Sequence, residues 1–232
     1  MKKKLYQSEN NIYRKNFGST SPPLYPNEML VKICSSKNYS KLTKGLFNRK
    51  IKVCEIGCFA GNNLRFFSDK GYDVSGIEIN KYLIKICKNF LKKFGLKKKI
   101  KLFIGNNNFI PMKKKSLDLI VSINTIHYSY GEQLLSSLKT FKNVLKKNGI
   151  AIIETPAPNH IIFKNSKKIN KLHYKFKLPT SDHRNGIDIG LFDDQKHFKS
   201  VLLKNFDKVE IARRTEKYYN KQYDFFVAIC KS

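Results

Sequence analysis

Arginine is scarce in this sequence. Six of the 46 basic residues are arginine, at 14, 49, 65, 184, 213 and 214, and acids number only 17, so the formal net charge is +29. Bidentate phosphate gripping and base readout favour arginine over lysine. A compositional drift towards Lys, Asn and Ile therefore explains the charge as well as a nucleic-acid ligand does. Long apolar runs are missing too: none approaches the roughly 20 residues of a membrane span, and the opening MKKKLYQ lacks the apolar core of a secretory signal. A cytoplasmic protein is the expectation. The five cysteines (34, 54, 58, 87, 230) are odd in number and lack CxxC spacing. They imply neither a disulfide framework nor a zinc site, and no metal is expected. Cys54 and Cys87 fall inside apolar patterns and read as core.

What is present fits one globular domain. At 232 residues, 41% hydrophobic and 27% charged, the chain can build a full core but not two comfortable ones. Residues 1–24 are polar, with Gly18 and Pro22-Pro23, and read as an arm or lid; residues 1–48 form an N-terminal region of the same domain. Asn27 offers a helix cap with Met29, Leu30 and Ile33 on one face. From there strands and helices alternate: strand 51–56, helix 61–70, strand 72–79, helix 81–94, strands 100–104 and 117–123, helix 131–147, strand 150–155. Such alternation predicts a doubly wound, mostly parallel sheet with helices on both faces. After Pro156 and Pro158 the rhythm breaks into an insertion over about 157–190, rich in Lys, His and aromatics. A helix capped by Asp193 and running to Phe206, then strands at 209–212 and 225–229, complete the α/β plan.

The stretch V53-C-E-I-G-C-F-A-G-N-N-L64 holds the first functional signal. An apolar strand ends in Glu55, and Gly57 and Gly61 let the chain turn sharply without side chains in the way. A second strand, YDVSGIEI, ends at Glu78, where a carboxylate suits two ribose hydroxyls. A nicotinamide oxidoreductase would want G-x-G-x-x-G, and the third glycine is missing.

On these residues, together with G105-N-N-N-F-I-P-M112 and N124-T-I-H-Y128, the chain from 51 to 155 resembles the class I S-adenosylmethionine-dependent methyltransferases. The resemblance implies a seven-stranded Rossmann-like sheet whose last strand is antiparallel, and S-adenosylmethionine as cofactor. It implies that Glu55 accepts from the methionine ammonium, and that the amides of Cys58, Phe59, Gly61, Asn62 and Asn63 face the ligand. Glu78 and Ile79 would hold the ribose, Asn106 and Asn107 the adenine, and Asn124 the edge near the methyl group. Two departures stand out: Asn106 replaces the usual aspartate, and Phe59 stands where the family has its middle glycine. Phe59 either keeps an ordinary backbone conformation or closes over the cofactor.

In-line methyl transfer asks a protein mainly for positioning and, for a hydroxyl or weakly acidic acceptor, a base. His127 is the first candidate, with Tyr128 and Tyr130 orienting the acceptor; His160, His173, His183 and Arg184 in the insertion are further candidates for base or phosphate contact. The N/D-P-P-Y/F signature of amino-methylating DNA enzymes and a Pro-Cys nucleophile are both missing. The expected acceptor is therefore a small polar molecule, methylated on O or N. The lysines and histidines of residues 164–184 suit an anionic acceptor, phosphorylated or nucleotide-linked, such as a surface-sugar precursor. An RNA or DNA methyltransferase and a non-catalytic cofactor-binding module are the alternatives.

Overall fold

The computed structural model describes residues 23–36, 39–177, 186–219 and 221–232. The proposed arm lies almost wholly outside them, as do His183 and Arg184. Among the described residues, ten strands and six α-helices follow in chain order. Helix α1 (Glu28–Ser35) precedes β1 (Lys52–Ile56), α2 (Asn62–Asp69), β2 (Asp73–Glu78), α3 (Lys81–Lys93), β3 (Lys101–Ile104) and β4 (Leu117–Ile123). Then come α4 (Gly131–Val144), β5 (Leu145–Pro156), α5 (Ile161–Lys164), β6 (Ser166–Asn170), β7 (His173–Phe176) and β8 (Asp188–Ile189). Helix α6 (Gln195–Leu203) and the long strands β9 (Lys208–Tyr218) and β10 (Lys221–Lys231) complete the chain.

The main sheet has seven strands in the order β3-β2-β1-β4-β5-β10-β9, parallel except that β10 runs antiparallel to both β5 and β9. Each central strand is apolar on both faces, as helices on both sides require. Val53, Leu119, Val121, Ile150 and Ile152 pack under α1, α2 and α3, while Cys54, Ile56, Ile120, Ala151 and Ile153 pack under α4 and α6. All five cysteines are buried and free. The strand order reverses between β1 and β4, the place where open α/β sheets bind ligands at the carboxyl edge.

Two expectations need correction. Helix α4 stops at Val144 because Leu145 already has extended backbone (φ −72°, ψ 140°) and starts β5. The last helix is capped by Asp194, whose side chain accepts from the His197 amide, whereas Asp193 holds Lys168 and Tyr174. The described part of the insertion carries a sheet of its own: β6, β7 and β8 pair antiparallel over a small core of Ile162, Tyr174, Phe176, Ile189 and Leu191. It is tied to the loop after β4, since Gly190 donates to the His127 carbonyl and Gly131 to that of Leu172.

Candidate active site

The turn after β1 is built around missing side chains. Gly57 has φ +71°, and a Cβ there would lie 2.3 Å from Thr125 Oγ1. The loop is sewn to β2 by the Gly57 and Cys58 amides, which donate to the Ile77 carbonyl at 2.8 and 3.2 Å. Gly61, at φ +89°, opens α2 so close to α3 that a Cβ would come 2.8 Å from Cys87 Sγ. Between them Phe59 adopts φ +40°, a left-handed conformation. The ordinary backbone expected as one option for Phe59 is not what it has, and such a side chain there costs about 1 kcal/mol relative to glycine.

Two carboxylates bracket this turn. Glu55, 3% exposed, accepts from Asn63 Nδ2 at 2.7 Å through Oε1, while its buried Oε2 has no hydrogen-bond partner among the described residues. Burial, with Asn63 opposing and Glu78 adding a like charge, pushes its carboxyl up to about 8. Glu78 accepts from the Ile79 amide at 2.7 Å and the Phe59 amide at 3.0 Å. Burial raises its carboxyl above the usual range although both amides pull the other way. Among the described residues neither acid has a basic partner, in a chain of charge +29. Each retains acceptor capacity, because a carboxylate offers about four lone-pair sites.

Asn63 joins this centre to the segment before α1: its Oδ1 accepts from the Asn27 amide at 2.8 Å, and Asn62 Nδ2 donates to the Tyr25 carbonyl at 2.7 Å. Across the sheet reversal lies the loop after β4. Asn124, at φ +52°, donates its amide to the Glu154 carbonyl. His127 is buried, its ring 4.4 Å from that of Tyr128, which is 45% exposed. His173 stacks on Tyr130 at 4.4 Å and pairs with Asp188 at 2.9 Å, beside an open groove of about 480 Å³. His160 serves the fold instead, because its Nδ1 caps α5 by accepting from the Ile162 amide.

Residues 54–153 match the family described as a methyltransferase domain. The fold is that of the class I methyltransferases, and the family match covers 100 of the 232 residues. Its curated relatives include the ubiquinone/menaquinone biosynthesis C-methyltransferase UbiE of Wigglesworthia glossinidia brevipalpis, 30% identical over 117 residues, half of this chain and 44% of that protein. The match thus spans less than half of that relative's length. Among solved structures, a methyltransferase from Methanosarcina mazei superposes with TM-score 0.63 at 18% identity, covering 90% of this chain and 99% of that one. An S-adenosylmethionine-dependent methyltransferase from Clostridium acetobutylicum gives 0.61 at 12%, covering 96% and 98%. Identities this low speak for the fold alone.

The cofactor of class I methyltransferases is S-adenosylmethionine, and the residues present fit it. The unpartnered Oε2 of Glu55 suits an ammonium, and Glu78 suits hydroxyl donors. Other carry-overs need correction. The Cys58 and Gly61 amides are spent on the Ile77 and Cys58 carbonyls, and the Cys58 side chain is 2% exposed, packed in the core. Asn106 Oδ1 accepts from the Asn108 and Phe109 amides, closing its own turn instead of standing free for an adenine. Asn107 points inward, donating to the Thr125 carbonyl and Ser129 Oγ. Glu154 is a third buried glutamate, not among the residues expected at the site. It is fully buried at the end of β5, held by Arg214 at 2.9 Å through Oε2, with Oε1 unpartnered among the described residues. IAIIETP carries the same signal as the other two acids, an acid closing an apolar strand.

Proposed function

We propose that this chain is an S-adenosylmethionine-dependent methyltransferase that methylates an oxygen or nitrogen of a small anionic metabolite, phosphorylated or linked to a nucleotide or sugar, as in surface-polysaccharide precursors. The observation that carries this reading is the pair of buried carboxylates, Glu55 and Glu78, that face the glycine turn with no cation among the described residues to balance them. The sulfonium of the cofactor supplies an already activated methyl group. The chain's own work is placement. Glu55 takes the ammonium, Glu78 the ribose hydroxyls, and the turn from Gly57 to Gly61 brings backbone close to both. His127 receives the acceptor's proton, with Tyr128 and the Tyr130–His173 stack ordering the acceptor beside it. His183 is a second proton acceptor in this reading. The exposed lysines of β6 and β7 (Lys167, Lys168, Lys175) draw an anion to that side.

Isothermal titration with S-adenosylmethionine and S-adenosylhomocysteine, with NAD as control, tests the reading. Micromolar binding of the first two is expected, lost at least tenfold in Glu78→Ala, because a hydrogen bond to a charged group contributes about 1.5–3 kcal/mol. Binding of NAD in preference would sink the proposal. His127→Ala is expected to lower turnover by about a hundredfold or more, with little change in cofactor affinity, as removal of a general base does; unchanged turnover rules His127 out.

A second reading rests on the UbiE relative, which its name describes as a C-methyltransferase of quinone biosynthesis. It predicts methyl transfer to a ring carbon of a demethylated quinol, detected by mass spectrometry, where the first reading predicts none.

A further inference from the structure

We propose that the flank of the molecule formed by α3 and the edge strand β3 is a docking surface for the phosphate backbone of a single-stranded nucleic acid. The proposal does not depend on the acceptor of the methyl group. Between residues 81 and 101 there are nine lysines and not one acid or arginine. All nine are exposed. Lys81, Lys85, Lys88 and Lys92 recur at the 4-3-4 spacing of one helical stripe, so they line up along about 17 Å of α3 at 1.5 Å per residue. Residues 97–99 and Lys101 extend the same charge to β3, which lies at the outer edge of the sheet. Only Lys101 has an ion-pair partner among the described residues, Asp73 at 3.7 Å.

Compositional drift accounts for many lysines, but not for where the acids go. Four lysines elsewhere pair with acids, Lys32 with Glu28, Lys142 with Asp207, Lys146 with Asp118 and Lys168 with Asp193, and what sets residues 81–101 apart is that nine lysines run there with no acid among them. On α3 a row of like charges stands unrelieved, and like charges four residues apart disfavour the helix. A polyanion would relieve that repulsion and release its own counterions.

The chemistry of the row selects the partner. Lysine lacks the bidentate grip that arginine gives phosphate and carboxylate alike and meets an anion as a point charge, and a row of point charges about 17 Å long is matched by the regularly spaced charges of a phosphate backbone. A membrane surface wants apolar anchors between the charges. Here the apolar face of α3 (Leu83, Ile84, Cys87, Phe90, Leu91) is already buried in the core. Phe94, 38% exposed at the foot of α3 and covered on one side by Arg65 at 3.9 Å, offers one ring for base stacking. With no arginine in the row there is little to read base edges, so binding follows the backbone and not the sequence.

The test is fluorescence anisotropy of the whole protein with a fluorescein-labelled oligouridylate, titrated at several salt concentrations. Log affinity is expected to fall linearly with log salt, with a slope of about −0.7 per phosphate contacted. Lys85→Glu/Lys88→Glu/Lys92→Glu should flatten that slope by about two units and weaken binding more than tenfold near 0.1 M salt. A charge-matched control, Lys196→Glu/Lys199→Glu/Lys204→Glu around α6, should stay within about threefold of the parent, since it alters net charge but not the row. Circular dichroism checks that each variant folds, and Lys→Gln versions at the same positions replace any that does not. Equal losses in the two triple variants would overturn the proposal by reducing it to net charge. So would binding to phosphatidylserine vesicles with none to oligouridylate.

Discussion

At the scale of single residues, Glu55 ties structure to pH. Its carboxyl rises from an ordinary 4.5 to about 8, mainly because burial disfavours the charge. The folded state therefore keeps a proton that the unfolded chain releases. The resulting stabilisation is complete below about pH 4.5, shrinks as pH rises through about 8 and is absent above. Thermal unfolding of the ligand-free protein across that window should show the decline, and Glu55→Gln should flatten it apart from the share left by Glu78. An unchanged slope in the variant would mean that Glu55 is ionised throughout. The sequence singles out this residue and Glu78 as acids that close apolar strands, yet Glu154 closes β5 in the same way and is tied up by Arg214, so the pattern marks a buried acid and not its role. Asn63 was legible as a backbone amide at the start of the helix over 61–70, but the partners of its side chain were not. Its two bonds, to Glu55 and to the Asn27 amide, join positions 8 and 36 residues away. No local pattern encodes a partner at that distance. The Asn106 carry-over failed because a turn residue with its own amides nearby satisfies itself first.

Among the elements, helices were the easiest to read. Leu83, Ile84, Cys87, Phe90 and Leu91 repeat at helical spacing, and α3 ends within one residue of expectation. The small sheet of the insertion was not legible, since β6 is exposed along nearly its whole length and shows no alternation, and β8 has only two residues. Its order comes from docking on the loop after β4. The pairing of β5 with the β9–β10 hairpin rests partly on charge. Arg214 on β9 reaches over Phe225 of β10 to the buried Glu154 of β5, and also pairs with Glu216. Burial raises the Glu154 carboxyl, and Arg214 works against that rise. Arg214→Met should destabilise the protein by about 3 kcal/mol, because it strands a buried acid. Glu154→Gln in the same chain should recover much of that loss, measured by urea unfolding. A double variant no better than Arg214→Met would show that the guanidinium acts through packing on Phe225.

For the whole molecule, a net charge of +29 is a standing internal pressure. Ion pairs that neutralise part of it sit mostly away from α3, and exposed charges repel over a Debye length of about 10 Å at 0.1 M salt. Stability should rise as sodium chloride goes from about 10 to 300 mM, where screening shortens that reach. A melting temperature that falls or stays constant over this range would mean that attractive pairs outweigh the repulsion.

The position of β10 has a consequence for how the molecule is made. It fills the place between β5 and β9, yet it follows every other strand in the chain. While the first five strands assemble on the ribosome, β5 presents an open backbone edge of the kind that invites pairing with a neighbouring nascent chain. Strands β9 and β10 pair over eleven residue positions, so the hairpin is a unit that closes that edge in one docking event. Pairing between segments so far apart in the chain is slow to form, so this docking is expected to follow local helix and strand formation. Ribosome stalling before residue 221 would leave a sheet that is nearly finished and prone to stick.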